Sequence, residues 1–132
     1  MIVAADSDIA AAADLENKSL GVQLGTTGEF IAVEIPGATV QTYNKAVDAV
    51  NDLINGRVDA VIVDKNPAQV FAEKFPEDVV ALDGAQFGFE VEEYAIALPK
   101  GSDLAAKINS ALAALKEDGT FDKLVAQYIE EA

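Results

Sequence analysis

The sequence predicts an α/β protein: an open, mainly parallel sheet flanked by helices, with further helices at the C-terminus. Three observations predict it. Short apolar runs alternate with helix-period stretches between turn residues, the pattern of βαβ units. The run Val58–Val63 is apolar except at Asp59, as expected of a strand covered on both faces. The segment Gln23-Leu24-Gly25-Thr26-Thr27-Gly28-Glu29 leads from a strand through a glycine-containing loop into a helix start, the place where ligands bind in open α/β folds.

Ile2–Ala5 reads as a strand, and the alanine run Ala10–Ala13 as a short helix into Leu15. Leu20–Leu24 is the next strand, followed by a helix over Glu29–Val33 that stops before Pro36-Gly37. Ala38–Tyr43 is a strand carrying the β-branched Val40 and Thr42. From Lys45 to Ile54 the residues Ala46, Val47, Ala49, Val50, Leu53 and Ile54 recur at helical spacing, and Asn55-Gly56 ends that helix. After the strand Val58–Val63, Asn66-Pro67 opens a helix through Lys74, with Asn66 as the cap and Pro67 in the first turn. Val79–Leu82 is a short strand, Asp83–Phe89 a loop, and Glu93–Leu98 a last strand. Two helices close the chain. The first, Asp103–Lys116, carries the stripe Leu104, Ile108, Leu112 and Leu115; Asp118-Gly119-Thr120 breaks it, and Phe121–Ile129 follows. No internal repeat interrupts this order.

At 132 residues the chain fits one domain able to hold a core without staples. It has no cysteine and no histidine, which excludes disulfide scaffolds, thiolate metal sites, Cys nucleophiles and His-based triads. Against 23 Asp+Glu stand only 9 Lys+Arg, for a formal charge of −14. A phosphate-backbone partner needs the reverse balance, so neither nucleic acid nor an anionic membrane surface is expected. No apolar run has the ~18 residues of a membrane span, and no membrane insertion is expected. Met1–Ala5 lacks a basic n-region and meets Asp6, so it reads as a strand and not as a signal peptide.

Two places invite chemistry. At Gly25-Thr26-Thr27-Gly28, Thr26 with Glu29 three residues on matches a capping box, and the glycines let backbone approach a ligand. Free N–H groups at such a helix start cradle a carboxylate or phosphate; an ordinary capped helix is the alternative reading. The Lys and the spacing of a P-loop are missing. The second place is Asp64, directly after the buried strand, where a turn or cap residue is the alternative. Together, an anion cradle and a carboxylate at one sheet edge suit a zwitterion. Arg57, the only arginine, precedes its strand at the opposite edge and offers no clamp there. Asn44 reads as a helix cap or a residue of the site rim, and Glu130-Glu131 as solvated surface.

Three segments carry a family resemblance: Leu20–Glu29 (LGVQLGTTGE), Asp48–Asp64 (DAVNDLINGRVDAVIVD) and Tyr94–Tyr128 (YAIALPKGSDLAAKINSALAALKEDGTFDKLVAQY). In this order they resemble the polar amino-acid-binding family of bacterial solute-binding proteins, the receptors of ABC importers. The resemblance implies one lobe of a periplasmic-binding-protein-like type II fold within residues 1–132. Residues 1–5 are then the first hinge strand, 19–92 the second-lobe core, 93–98 the second hinge strand and 102–131 the closing helices. It further implies that Thr27 with Gly25, Thr26 and Gly28 binds a ligand carboxylate, that Asp64 pairs with its α-ammonium, and that Gln23 faces the side-chain pocket.

Implied partners are a polar or cationic L-amino acid, a first lobe or a second copy of the chain, and an ABC permease in the full-length context. The implied location is periplasmic or extracellular; neither cofactor nor metal is implied. A stand-alone or engineered half-domain scaffold without ligand binding is one alternative. An amino-acid-related dehydratase of the same fold is another, and it would have to work without His or Cys. A phospho-acceptor receiver domain would need an acidic pair after the first strand and a phospho-acceptor Asp ending a later one, for which Asp6 and Asp64 are weak stand-ins.

Overall fold

In the computed structural model, which describes residues 1–90 and 93–130, five short strands form one sheet. They are β1 (Ile2–Ala4), β2 (Ser19–Gln23), β3 (Thr39–Tyr43), β4 (Ala60–Ile62) and β5 (Val79–Ala81), in the spatial order β3-β2-β4-β1-β5. β2 pairs in parallel with both β3 and β4, whereas β1 runs antiparallel to β4 and to β5. Four strands therefore share one direction and β1 alone opposes them. The sheet is open and mainly parallel, as the sequence predicts.

Helices α1 (Thr27–Val33), α2 (Ala46–Ile54) and α3 (Lys65–Lys74) follow β2, β3 and β4. They cover both faces, and the buried residues accordingly fall into two clusters. Met1, Val3, Leu20, Val22, Ala60 and Ile62 join Ala32 of α1 on one face. Ile2 and Val61 join Ala49, Val50 and Leu53 of α2 and Ala68 of α3 on the other. The alternation Met1/Ile2/Val3 and Ala60/Val61/Ile62 is the two-residue period of strands buried on both sides. Two 3-10 turns, Ala12–Leu15 and Gly84–Phe87, contribute Leu15 and Phe87 to the first cluster.

Two boundaries depart from the sequence reading for local reasons. β4 is shorter than Val58–Val63, and Asp59 just before it is tied to the neighbouring strand: its N–H donates to the Ser19 carbonyl and its carboxylate accepts from the Ser19 N–H, both at 2.7 Å. This explains an acid inside an apolar run. α3 begins at Lys65, so Asp64 and not Asn66 holds the cap position, and the Ala68 N–H donates to the Asp64 carbonyl at 3.0 Å. Pro67 falls in the first turn, where an N–H has no helical acceptor to lose.

The contacts divide the chain into two units, Met1–Val91 and Glu92–Ala132, where the sequence suggested one domain. The second unit holds α4 (Leu104–Glu117), α5 (Thr120–Val125) and a wider π-turn over Ala126–Glu130. Gly119, at φ +75°, makes the break between the helices. Ile108, Leu112 and Leu115 are half-buried, Leu104 is 47% exposed, and none of residues 93–128 is fully buried. The strand expected over 93–98 is not formed. Alternating Tyr94, Ile96 and Leu98 gives strand propensity, but strand preference rests on a half-buried surface to pack against, and Tyr94 and Ile96 lie 88% and 62% exposed. Residues 91–92 and 131–132, the ends of the expected core and closing helices, lie outside the described residues. Among the described residues no helix is long and apolar enough to cross a membrane.

Candidate functional site

The site residues stand where the chain leaves two neighbouring parallel strands. Register pairs Val22 with Ile62, so Gln23–Thr26 and Val63–Asp64 emerge at the same sheet edge, about 5 Å apart at the strand ends. β1 starts at this edge because it runs the other way, and Asp83 follows β5 there.

Gln23–Thr26 is a tight turn. The Thr26 N–H (3.3 Å) and hydroxyl (2.8 Å) both donate to the Gln23 carbonyl. Gly25 takes φ +75°, the left-handed conformation a turn of this kind needs at its third position. The expected capping box is not made. Thr26 caps α1 by position only, its hydroxyl being spent on Gln23, and the Glu29 N–H donates to the Thr26 main-chain carbonyl at 3.1 Å. The Glu29 carboxylate accepts instead from the Gly25 N–H at 2.6 Å. The spacing was right and the partner was shifted by one residue.

This leaves the N–H groups of Thr27 and Gly28 as the donors of the helix start without a main-chain acceptor among the described residues. Gly28 is buried against β4: a Cβ there would lie 2.7 Å from the Ile62 carbonyl oxygen. Glycine is what lets the first turn of α1 rest on the end of the strand that delivers Asp64 two residues later. Thr27 and Asp64 are exposed, Gln23 and Thr26 half-buried. The Gln23 amide donates to the Asn44 carbonyl at 3.4 Å, which places Asn44 on the rim while Lys45 takes the cap position of α2.

Asp83 is the residue the sequence reading passed over. It accepts the Ala85 N–H at 2.9 Å, and with Asp64 it bears on the amine of Met1. Burial, the larger effect, pushes that amine's pKa down, while Asp83 and Asp64 push it up. The two carboxylates thus make this edge electronegative beside the N–H pair. An aspartate following each of two strands was the available signal.

Arg57 is engaged elsewhere, bonded to Asp52 at 2.7 Å. Arg57 and then Tyr43 hold the Asp52 carboxyl below its ordinary range. Burial and the hydrogen bond to Asp52 push the Tyr43 phenol up to about 12. Among the described residues no group of three or more acidic, His or Cys side chains could hold a metal ion.

No protein-family model matches the chain. It is 36% identical over 121 residues to the L-cystine-binding protein TcyJ of Escherichia coli strain K12, covering 90% of this chain and 44% of that protein. Against the L-arginine-binding protein of Pseudomonas aeruginosa it is 35% identical over 127 residues, with 88% and 48% covered. Among solved structures, domain 2 from TmArgBP is 38% identical with a TM-score of 0.56, covering 60% of this chain and 87% of that domain. The chain belongs to the amino-acid-binding family of ABC-importer solute-binding proteins. An ancestral arginine-binding protein of the same family, bound to arginine, superposes over 97% of this chain and 58% of its own at a TM-score of 0.78 and 34% identity. The chain spans about half the length of the curated relatives it matches.

Proposed function

We propose that the chain is the amino-acid-binding second lobe of an importer's solute-binding protein, presenting half of a ligand site. The observation that carries this is the convergence, beyond the ends of the adjacent parallel strands β2 and β4, of a carboxylate (Asp64) and two N–H groups (Thr27, Gly28) without a main-chain acceptor among the described residues. A zwitterion matches it. Its carboxylate takes the N–H pair and the Thr27 hydroxyl, with Gly25 and Thr26 shaping the turn, and its α-ammonium faces Asp64. Gln23 points toward the ligand side chain.

The side-chain class we infer is polar or cationic. Relatives are named for cystine, histidine and arginine binding, no Lys or Arg stands among the site residues, and the net charge of −14 favours encounter with cations. The remaining contacts come from a first lobe, delivery is to an ABC permease, and the location is periplasmic or extracellular. The chain acts as a binder, not an enzyme.

Because Thr27 and Asp64 are exposed, each charge pair is screened and contributes about 1 kcal/mol. Three or four such contacts give affinity near 1 mM, which corresponds to about −4 kcal/mol. The test is an NMR titration of the labelled chain with L-arginine, agmatine (no carboxylate) and N-acetyl-arginine (no ammonium). Arginine is expected to shift the Thr27 and Gly28 amides at millimolar concentration. Each analogue is expected to bind more weakly, and Asp64→Asn to lose arginine's advantage over N-acetyl-arginine. Silence of these amides toward a panel of L-amino acids, in a folded sample, would leave the chain a scaffold.

A further inference from the structure

Among the described residues β3 stands at one margin of the sheet and pairs with β2 alone. The Thr39 N–H donates to the Lys18 carbonyl (2.8 Å) and the Tyr43 carbonyl accepts from the Leu24 N–H (2.9 Å). In a parallel ladder the bonding residues alternate, so Thr39, Gln41 and Tyr43 serve β2, and the N–H and C=O groups of Val40 and Thr42 point away from the sheet. Natural edge strands are usually protected by a charge, a proline or a bulge. This one has none. The nine residues Pro36–Asn44 carry no charge in a chain where 24% of residues do.

We propose that the free edge of β3 is a self-association surface at which a second copy of this chain adds its own β3 antiparallel, with Gln41 on the two-fold axis. The strand is self-complementary in that register. Val40 exchanges both main-chain bonds with the partner's Thr42, and Thr42 with the partner's Val40, four bonds in all. Thr39 stands opposite the partner's Tyr43, a β-branched–aromatic pair of the kind that stabilises sheets. A second copy is favoured over an unrelated partner by charge. Two molecules of −14 each repel over most of their surface, and this neutral stretch is where they approach at least cost.

A five-residue edge buries less than the roughly 1,200 Å² of a stable interface, so the association is weak and reversible. Higher salt strengthens it by screening the net charge.

The test is sedimentation velocity of the intact chain at low and high salt, up to about 1 mM, near the affinity ceiling of so small a contact. A concentration-dependent dimer, stronger at high salt, is expected. Thr42→Pro deletes one outward N–H without touching the β2 ladder and is expected to abolish the dimer. Should that variant lose its fold, Thr42→Lys serves, with Asn109→Lys on exposed α4 as a control of equal charge that leaves the dimer intact. The chain has no cysteine, so Gln41→Cys treated with oxidised glutathione is expected to give a disulfide-linked dimer through the two-fold. A strict monomer throughout overturns the proposal. So does a dimer that survives both Thr42 variants, which would place the contact on another surface such as the α4 stripe.

Discussion

Gly28→Ala tests whether the first turn of α1 rests on β4 as tightly as the structure has it. The new Cβ would lie 2.7 Å from the Ile62 carbonyl oxygen, some 0.7 Å inside the 3.4 Å at which ordinary contact begins. The obstacle cannot step aside, because Ile62 is main chain in a strand paired on both sides, by β2 and by β1. α1 must therefore lift. Overpacking of this size costs about 1–3 kcal/mol. Against it stands the gain from replacing a helical glycine, about 0.5–1 kcal/mol. The clash wins by about 1 kcal/mol, a fall of about 0.5 M in the urea midpoint. Gly56→Ala is the matched control: it has open space around its Cβ but φ +68°, so it loses about 1–2 kcal/mol to backbone strain far from the site. Both variants are expected to be destabilised, and only Gly28→Ala to weaken arginine binding, by roughly tenfold for one charge-assisted hydrogen bond misplaced. If Gly28→Ala proves more stable than the parent, the propensity gain was realised without a clash. The close approach of α1 to β4, and the site built on it, would then be wrong.

Leu20→Ala, at a fully buried position in β2, is expected to cost about 2–5 kcal/mol, read from the shift in urea midpoint at unchanged slope. Gly37→Ala is expected to destabilise as well, since Gly37 has φ +70° and its Cβ would collide with the Asn17 side-chain oxygen; a midpoint equal to wild type refutes this. The Tyr43 phenol, raised to about 12 by burial and Asp52, keeps its proton more firmly folded than unfolded. Its contribution is therefore complete below pH 10 and lost as pH climbs from 10 to 12, and Tyr43→Phe is expected to flatten that part of the stability–pH curve. Asp52 shows the opposite sign. Held down chiefly by Arg57, it contributes above the ordinary carboxylate range and loses that contribution as pH falls through its lowered pKa, so Arg57→Ala is expected to raise the midpoint of acid unfolding.

The succession of strands along the chain and the helices between them were legible because their signals are local and repeated. Turn residues after each apolar run, and the i, i+3, i+4 spacing of Ala49, Val50 and Leu53, mark elements that tertiary packing then confirms. The direction of β1 was not legible. Its three residues are apolar on both faces, as any central strand's would be, and nothing in them distinguishes a parallel from an antiparallel neighbour. The segment 93–98 failed for the complementary reason. It has strand composition, yet a ladder requires hydrogen-bonding partners that composition does not encode.

At Gln23–Glu29 the turn into a helix start was readable and its wiring was not. Threonine and glutamate three apart can be joined in two ways around the same turn. In the capping box the hydroxyl accepts and the carboxylate reaches the Thr26 N–H. In the arrangement found, the hydroxyl donates to Gln23 and the carboxylate moves back one residue to Gly25. The choice follows from Gly25: with φ at +75° the turn tightens until the Gln23 carbonyl comes within 2.8 Å of the hydroxyl. In a capping box the Thr26 hydroxyl would accept the Glu29 N–H; here that N–H donates to the Thr26 main-chain carbonyl at 3.1 Å, while the Glu29 carboxylate fixes the Gly25 turn. A capping box takes neither the Thr27 nor the Gly28 N–H, so both wirings leave that pair to other acceptors. What the observed wiring adds is a turn held from two sides, by the Thr26 hydroxyl on the Gln23 carbonyl and the Glu29 carboxylate on the Gly25 N–H, at the sheet edge that also carries the carboxylates of Asp64 and Asp83.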